Sequence, residues 1–272
     1  MQRLLITGSS GTVGRLLVDR LAAARPDRRL RLLDLHHPDG LDGRGDLEGI
    51  ELVEGSVTDA AVVAAAVEGV DAVLHLGGIS VEGPWRDVLE VNVHGTFTVL
   101  DEAARAGVRT VVLASSNHAV GMTRRGDADL PADAPPHPDT YYGWSKTAGE
   151  SLGRLFVERA GLSVVALRIG SCRERPQNVR ELATWLSPDD CARLVEASLD
   201  PATSGFHLVW GVSRNTRRWW SLAEGEAIGY RPADDAEVFA AEVERAGGQP
   251  VPVDVVGGSF TRFALGTCDV QG

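Results

Sequence analysis

Residues 3–24 read RLLITGSSGTVGRLLVDRLAAA. RLLIT is a short apolar run of strand type, and TVGRLLVDRLAAA places its apolar side chains at helical spacing, with Pro26 just beyond. Between them GSSGTVG puts glycines at 8, 11 and 14. Glycine permits a tight turn and lets an anion approach backbone N–H groups at the positive end of a helix. Strand, glycine turn and helix in this order open a dinucleotide-binding unit. Gly8, Ser10, Gly11, Thr12, Val13 and Gly14 are therefore expected to line a pyrophosphate site.

Outward from this stretch, strands and helices alternate. Apolar runs at 30–35, 50–55, 71–78, 108–115 and 162–170 read as strands. Helical spacing covers 58–68, 85–106 and 140–160. Such alternation predicts an α/β fold, a Rossmann-type doubly wound parallel sheet. Beyond 170 the pattern loosens to a helix at 187–200, with Ser187 as cap and Pro188 in its first turn, and a strand at 206–211. Residues 1–170 are expected to be the NAD-binding core. Residues 171–272 are expected to be a small C-terminal substrate-binding cap, interleaved with the last strand in one compact unit. The segment 36–49 reads as a Gly/Asp-rich surface loop.

Asp34 lies 20 residues beyond Gly14, at the end of the second strand. A carboxylate there accepts from ribose hydroxyls and repels a 2′-phosphate, which favours NAD over NADP. His36, His37 and Arg44 are the nearby groups that weigh the other way. Leu76, Gly77 and Gly78 end the fourth strand and are expected to run beside the cofactor.

The formal net charge is −11. A diffuse negative field disfavours nucleic acid and anionic membrane as partners. No run of apolar residues is long enough for a membrane span, and MQRLLITGSSG lacks the features of a signal peptide. Cys172, Cys191 and Cys268 lie far apart without metal spacing, consistent with a reducing, cytoplasmic setting. No metal is expected. An anionic substrate, however, would need a local cation to overcome the overall field.

Two further segments carry chemistry. VVLASSNHAVG (111–121) leaves a strand and places Ser115, Ser116, Asn117 and His118 in succession. In open α/β sheets this end of a strand is where ligands bind. YYGWSKTAGE (141–150) puts Tyr142 and Lys146 four apart on one helical face. A free tyrosine titrates near about 10, too high for an efficient base near neutrality. A neighbouring ammonium favours its phenolate. Tyr141 is five residues from Lys146, on another face, and reads as packing.

Together the glycine turn, the fifth-strand serines and the Tyr142–Lys146 pair resemble the extended branch of the short-chain dehydrogenase/reductase superfamily, over about residues 1–230. The resemblance implies that Ser116 bonds the reacting oxygen, Tyr142 exchanges the proton, Lys146 assists and Asn92 helps order the cofactor site. Extended members usually carry Asp at the end of the third strand to meet the adenine. Here GSVTD supplies Ser56, which puts that contact in doubt and leaves Val57 to pack on the ring.

HLGGIS (75–80), SSNHAVG (115–121), YGWSK (142–146), RIGSC (168–172), TWLSPDD (184–190) and VWGVSRN (209–215) further resemble the uronate dehydrogenase family. That likeness implies NAD-dependent oxidation of the anomeric hydroxyl of a hexuronate, D-glucuronate or D-galacturonate, to an aldarolactone. It implies Arg180 as clamp for the substrate carboxylate. It also implies Ser80, Ser116, Asn117, His118, Tyr142 and Ser171 as sugar contacts. Plainer alternatives are Ser80 as a helix cap, Asn117 as a group satisfying loop backbone and His118 as a structural donor; Arg168 reads as a strand-end ion pair, and Arg173 and Arg175 as solvated charges. The tryptophans at 185, 210, 219 and 220 read as packing and His75 as a buried strand residue. A homo-oligomer, paired through helices near 85–106 and 140–160, is expected by resemblance. Rival readings are a nucleotide-sugar epimerase or dehydratase of the same branch, for which about 100 residues after the sixth strand are few, and a non-catalytic dinucleotide sensor.

Overall fold

The structure, a computed structural model, describes residues 2–37, 49–247 and 252–268. Arg44 and most of the 36–49 segment lie outside them. The N-terminal strand β1 (Arg3–Thr7) leads through the glycine turn into α1 (Thr12–Ala24). Then follow β2 (Arg29–Asp34), β3 (Ile50–Glu54), α2 (Ala60–Val67) and β4 (Ala72–His75). Helices α3 (Trp85–Val88) and α4 (Gly95–Arg105) are joined by a π-helical turn, Leu89–His94. Strand β5 (Thr110–Ser116), α5 (Tyr141–Ala160) and β6 (Ser163–Ile169) complete the first part. After them come β7 (Ser171–Cys172), α6 (Glu181–Thr184), β8 (Trp185–Leu186), α7 (Pro188–Ser198), β9 (Phe206–Gly211), α8 (Ala223–Ala227) and α9 (Ala240–Ala246).

Seven strands form one sheet in the order β3-β2-β1-β4-β5-β6-β9, and every pairing is parallel. Parallel strands need both faces covered. On one face Leu4, Ile6, Leu17, Leu21, Val165 and Leu194 pack together, and the same cluster runs on into Trp210, Trp220 and Val256. On the other, Leu5, Val63, Val73, Val99, Val111 and Val164 pack beneath α2, α4 and α5. Strand order reverses between β1 and β4, so a crevice opens beyond their carboxyl ends.

Caps set the helix starts. Asp59 accepts the N–H groups of Ala61 and Val62 ahead of α2, Thr140 that of Gly143 in α5, and Ser187 that of Asp190 in α7. Gly161, at φ 75°, ends α5 in the left-handed region. The tryptophans pack as read: Trp210 and Trp220 stack at 4.4 Å, both fully buried.

The expected helix 85–106 is interrupted. Its π turn adds a residue to the spiral at Asn92, whose amide points out of the helix row: Oδ1 accepts the Ile79 N–H at 2.8 Å, and Nδ2 donates to Ile79 O and to Ser145 Oγ, both at 3.0 Å. Nothing in hydrophobic spacing encodes such a turn.

Arg168 is the strand-end ion pair. Its guanidinium grips Glu150 of α5 through two bonds, Nε to Oε1 at 2.8 Å and Nη2 to Oε2 at 2.7 Å, and donates twice more to the carbonyls of Ala132 and Ala134. Both side chains are buried, at 1% and 7% exposure. Removing one partner strands the other charge, so Glu150→Ala should destabilise the fold by about 3–5 kcal/mol. Urea unfolding followed by circular dichroism measures this, and a midpoint equal to wild type would refute it.

Candidate active site

A cleft of about 590 Å³ lies at the carboxyl ends of β1, β4, β5 and β6. One half is lined by Gly8, Gly11, Thr12, Val13, Gly14, Leu76 and Gly78, the other by Ser80, Ser116, Asn117, His118, Tyr142, Ser171 and Arg180. Lys146 lies between them.

The residues of the first half fit NAD. Gly8 sits at φ 70°, and a Cβ there would come within 2.6 Å of the Gly77 nitrogen. A Cβ at Gly14 would press into the backbone of Gly8 and Ser9. Gly11 caps helix α1 without a side-chain bond, which leaves the amides of the helix's first turn, after Gly11, available to an anion. Asp34 accepts the Ser10 N–H at 2.8 Å on one oxygen and the Leu35 N–H at 2.7 Å on the other. A carboxylate retains further lone pairs for ribose hydroxyls.

Several expected cofactor residues stand back from the cleft. Asn92 is not among the lining residues; its amide groups bond Ile79 and Ser145 and order the chain after β4. The Ser56 hydroxyl pairs with Thr58 Oγ1 at 2.8 Å, and buried Val57 packs against Gly77 and Gly95.

In the second half Ser116 ends β5, its Oγ accepting the His118 N–H at 3.2 Å, and it lines the cleft together with Tyr142. Burial pushes Tyr142 up to about 12; the Ser116 hydroxyl opposes this and the Asp139 charge adds to it. Burial pushes Lys146 down to about 8. Its ammonium stands 5.5 Å from the Tyr142 ring and donates to Ala114 O at 2.9 Å. Burial and the Lys146 charge together push His75 down to about 3. His75 is a neutral bridge between Thr7 and Thr96. Tyr141 packs edge-on against Trp85 outside the cleft.

Ser115 also lines the cleft, and its hydroxyl donates to Glu150 at 2.6 Å. Asn117 donates to Val256 O at 3.0 Å. Arg180 also donates to Val256 O, and weakly to Thr184 at 3.5 Å. Its Nε is buried with no partner, and burial pushes the guanidinium down to about 10. No carboxylate among the described residues pairs with it. Arg173, by contrast, lies 3.6 Å from Glu181, and Arg175 lies 3.8 Å from Glu242.

Three contributors escaped the sequence reading. Asp139 bonds His118 at 2.7 Å. Glu82, 2% exposed, accepts the Tyr142 N–H at 2.9 Å and the Gly266 N–H at 2.7 Å. The C-terminal strap around Val256–Phe260 roofs the cleft, with Phe260 stacked on His118 at 4.0 Å. VVGGSF, a glycine pair within an apolar run, was the available signal for the strap.

Residues 4–172 match the NAD dependent epimerase/dehydratase family. The chain belongs to this family. Over 253 residues it is 40% identical to a uronate dehydrogenase of Pseudomonas syringae pv. tomato, covering 93% of this chain and 88% of the relative. Over 267 residues it is 39% identical to a uronate dehydrogenase of Agrobacterium fabrum, covering 98% and 96%. A crystal structure of a mutant uronate dehydrogenase from Agrobacterium tumefaciens complexed with NAD superposes at a TM-score of 0.88 with 37% identity, covering 97% of this chain and 98% of that one. No helix among the described residues is long and apolar enough to cross a membrane.

For a member of the NAD dependent epimerase/dehydratase family, a tyrosine held near 12 has a consequence. Were Tyr142 the base, oxidation would need its phenolate, and the rate should rise with pH, about tenfold per unit well below the apparent pKa. Positive charge brought by oxidised NAD should set that value below about 12. Replacing Lys146 by Met should move it upward. The pH profile of kcat at saturating substrates measures both, and a flat profile would remove Tyr142 as base.

Proposed function

We propose that the protein oxidises the anomeric hydroxyl of a hexuronate, D-glucuronate or D-galacturonate, with release of NADH. Arg180 carries this reading. In a chain of net charge −11, a guanidinium at the cleft has a buried, unpartnered Nε and no carboxylate among the described residues. Such a group recognises an anion, and its planar fork suits a carboxylate.

With the uronate carboxylate on Arg180, the sugar ring lies beneath the strap. Ser80, Asn117, His118 and Ser171 face it with groups that donate or accept, as sugar hydroxyls require. Tyr142, as phenolate, takes the anomeric proton while Ser116 holds the same oxygen, and the Lys146 ammonium favours the phenolate. NAD, when bound, supplies the acceptor for the hydride leaving the anomeric carbon. The ring oxygen offsets positive character at that carbon, and the product is an aldarolactone that opens in water to an aldarate. In this assignment residues 1–170 hold the cofactor, and residues 171–272 supply the clamp and the roof. We place the enzyme in the cytoplasm as a homo-oligomer.

NADH formation with glucuronate, galacturonate and the matching neutral hexoses tests the reading. Uronates should be strongly preferred. Arg180→Ala should lower kcat/KM for uronates by about 30-fold or more, equivalent to about 2 kcal/mol for a truncated ion pair, and leave neutral sugars unchanged. Equal oxidation of both sugar classes by the wild type would overturn it. Tyr142→Phe should lower turnover by about 10²–10⁴-fold while NAD still binds.

A further inference from the structure

Behind the cleft, three chain segments converge on one buried carboxylate. Asp139 precedes the capping residue of α5, and its side chain is 0% exposed. Oδ1 accepts from the Thr140 hydroxyl at 2.9 Å, and Oδ2 lies 2.7 Å from His118 Nδ1. A Cβ at Gly121, which follows β5 and its 3₁₀ turn, or at Gly257 in the strap, would overlap Oδ2. A Cβ at Gly143, in the first turn of α5, would meet the His118 carbonyl oxygen at 2.3 Å and Oδ1 at 2.9 Å. Two separate segments, at Gly121 and Gly257, thus omit a side chain where this carboxylate sits.

We propose that Asp139 is a positioning residue that fixes His118 as a hydrogen-bond acceptor toward the sugar. An ionised carboxylate only accepts, so in the neutral ring Nδ1 is the nitrogen that carries the proton. Nε2 of that tautomer is a bare lone pair, and no described residue bonds it. The ring plane is also held, stacked on Phe260 at 4.0 Å and 22°, with Tyr142 edge-on at 5.7 Å. His118 lines the cleft beside Ser116. Its acceptor therefore complements donors: Lys146, Arg180 and the Asn117 amide present N–H groups, whereas His118 takes an O–H. A sugar hydroxyl held this way has its own lone pairs turned elsewhere, which limits the orientations in which the ring can bind.

The proposal rests on the hexuronate reading for the identity of the hydroxyl, but the tautomer does not. Nitrogen-15 NMR of histidine-labelled wild-type protein reads the tautomer directly, with no variant needed. A pyrrole-type Nδ1 and a pyridine-type Nε2 are expected for His118; the reverse assignment would overturn the proposal. Asp139→Asn replaces the carboxylate by an amide able to donate to Nδ1, so the preference for one tautomer is lost. By analogy with the outer-shell partners of ligating histidines, KM for the uronate should rise about 10–100-fold. NAD affinity should stay unchanged. In a His118→Ala background the same substitution should add less than about 2-fold, because its effect acts through the imidazole. An equal loss in both backgrounds, or a parallel loss of NAD affinity, would make Asp139 a structural residue and sink the proposal. A wild-type protein that ignored uronates would refute the functional reading alone, with the NMR assignment still deciding the tautomer.

Discussion

The bidentate pair between Arg168 and Glu150 sets the geometry of the site. It joins β6 to α5 across the end of the sheet, and Ser115 donates into the same carboxylate from β5. Helix α5 carries Tyr142 and Lys146; β5 carries Ser116. Their separation is therefore fixed by a rigid fork of bonds, one turn beyond Lys146, rather than by loop packing. A buried pair of this kind adds little net stability, since desolvation offsets attraction. Its value is directional. Four donors of one guanidinium have assigned acceptors, and the chain 132–134 is held by two of them.

That scaffold encloses a site hostile to charge. Burial pushes Tyr142 up and Lys146 down, so in the free protein both drift toward neutrality. In the proposed reaction, ionisation of Tyr142 then depends on charges that arrive with the ligands. A low-dielectric pocket strengthens each such interaction. The same logic applies at Arg180, whose charged form is penalised by burial while no carboxylate among the described residues pairs with it. An anion supplies the missing partner, so the overall acidity of the chain does not prevent anion binding at this one point.

The parallel sheet, the glycine turn and the order of helices were legible because each has a periodic or positional signature. The serine strand end, Tyr142 and Lys146 were legible because a helix places i and i+4 together. The ordering role expected of Asn92 has its physical form in bonds to Ile79 and Ser145, and the π turn that carries them depends on tertiary contacts that local spacing does not record. Asp139 and Glu82 were missed for a related reason. Isolated acids in loops look like surface charges, and only the folded chain shows that each is buried against backbone or imidazole. The strap was missed because its contacts are long-range: Asn117 and Val256 are 139 residues apart.

The strap also explains why SSNH is so polar. Of four consecutive side chains, Ser115 faces Glu150, Asn117 holds Val256 O and His118 leans on Asp139. Only Ser116 bonds no described residue beyond its own turn, accepting the His118 N–H while lining the cleft beside Tyr142. Much of the polarity at this strand end therefore serves the protein. Val256 O accepts from both Asn117 and Arg180, so a single strap carbonyl sets two groups that face the cleft. Gly258, at φ 58° and against the Arg180 side chain, lets the strap approach that closely. Any side chain there would displace the guanidinium and, through the shared carbonyl, Asn117 with it. The two would shift together, although they belong to segments 63 residues apart.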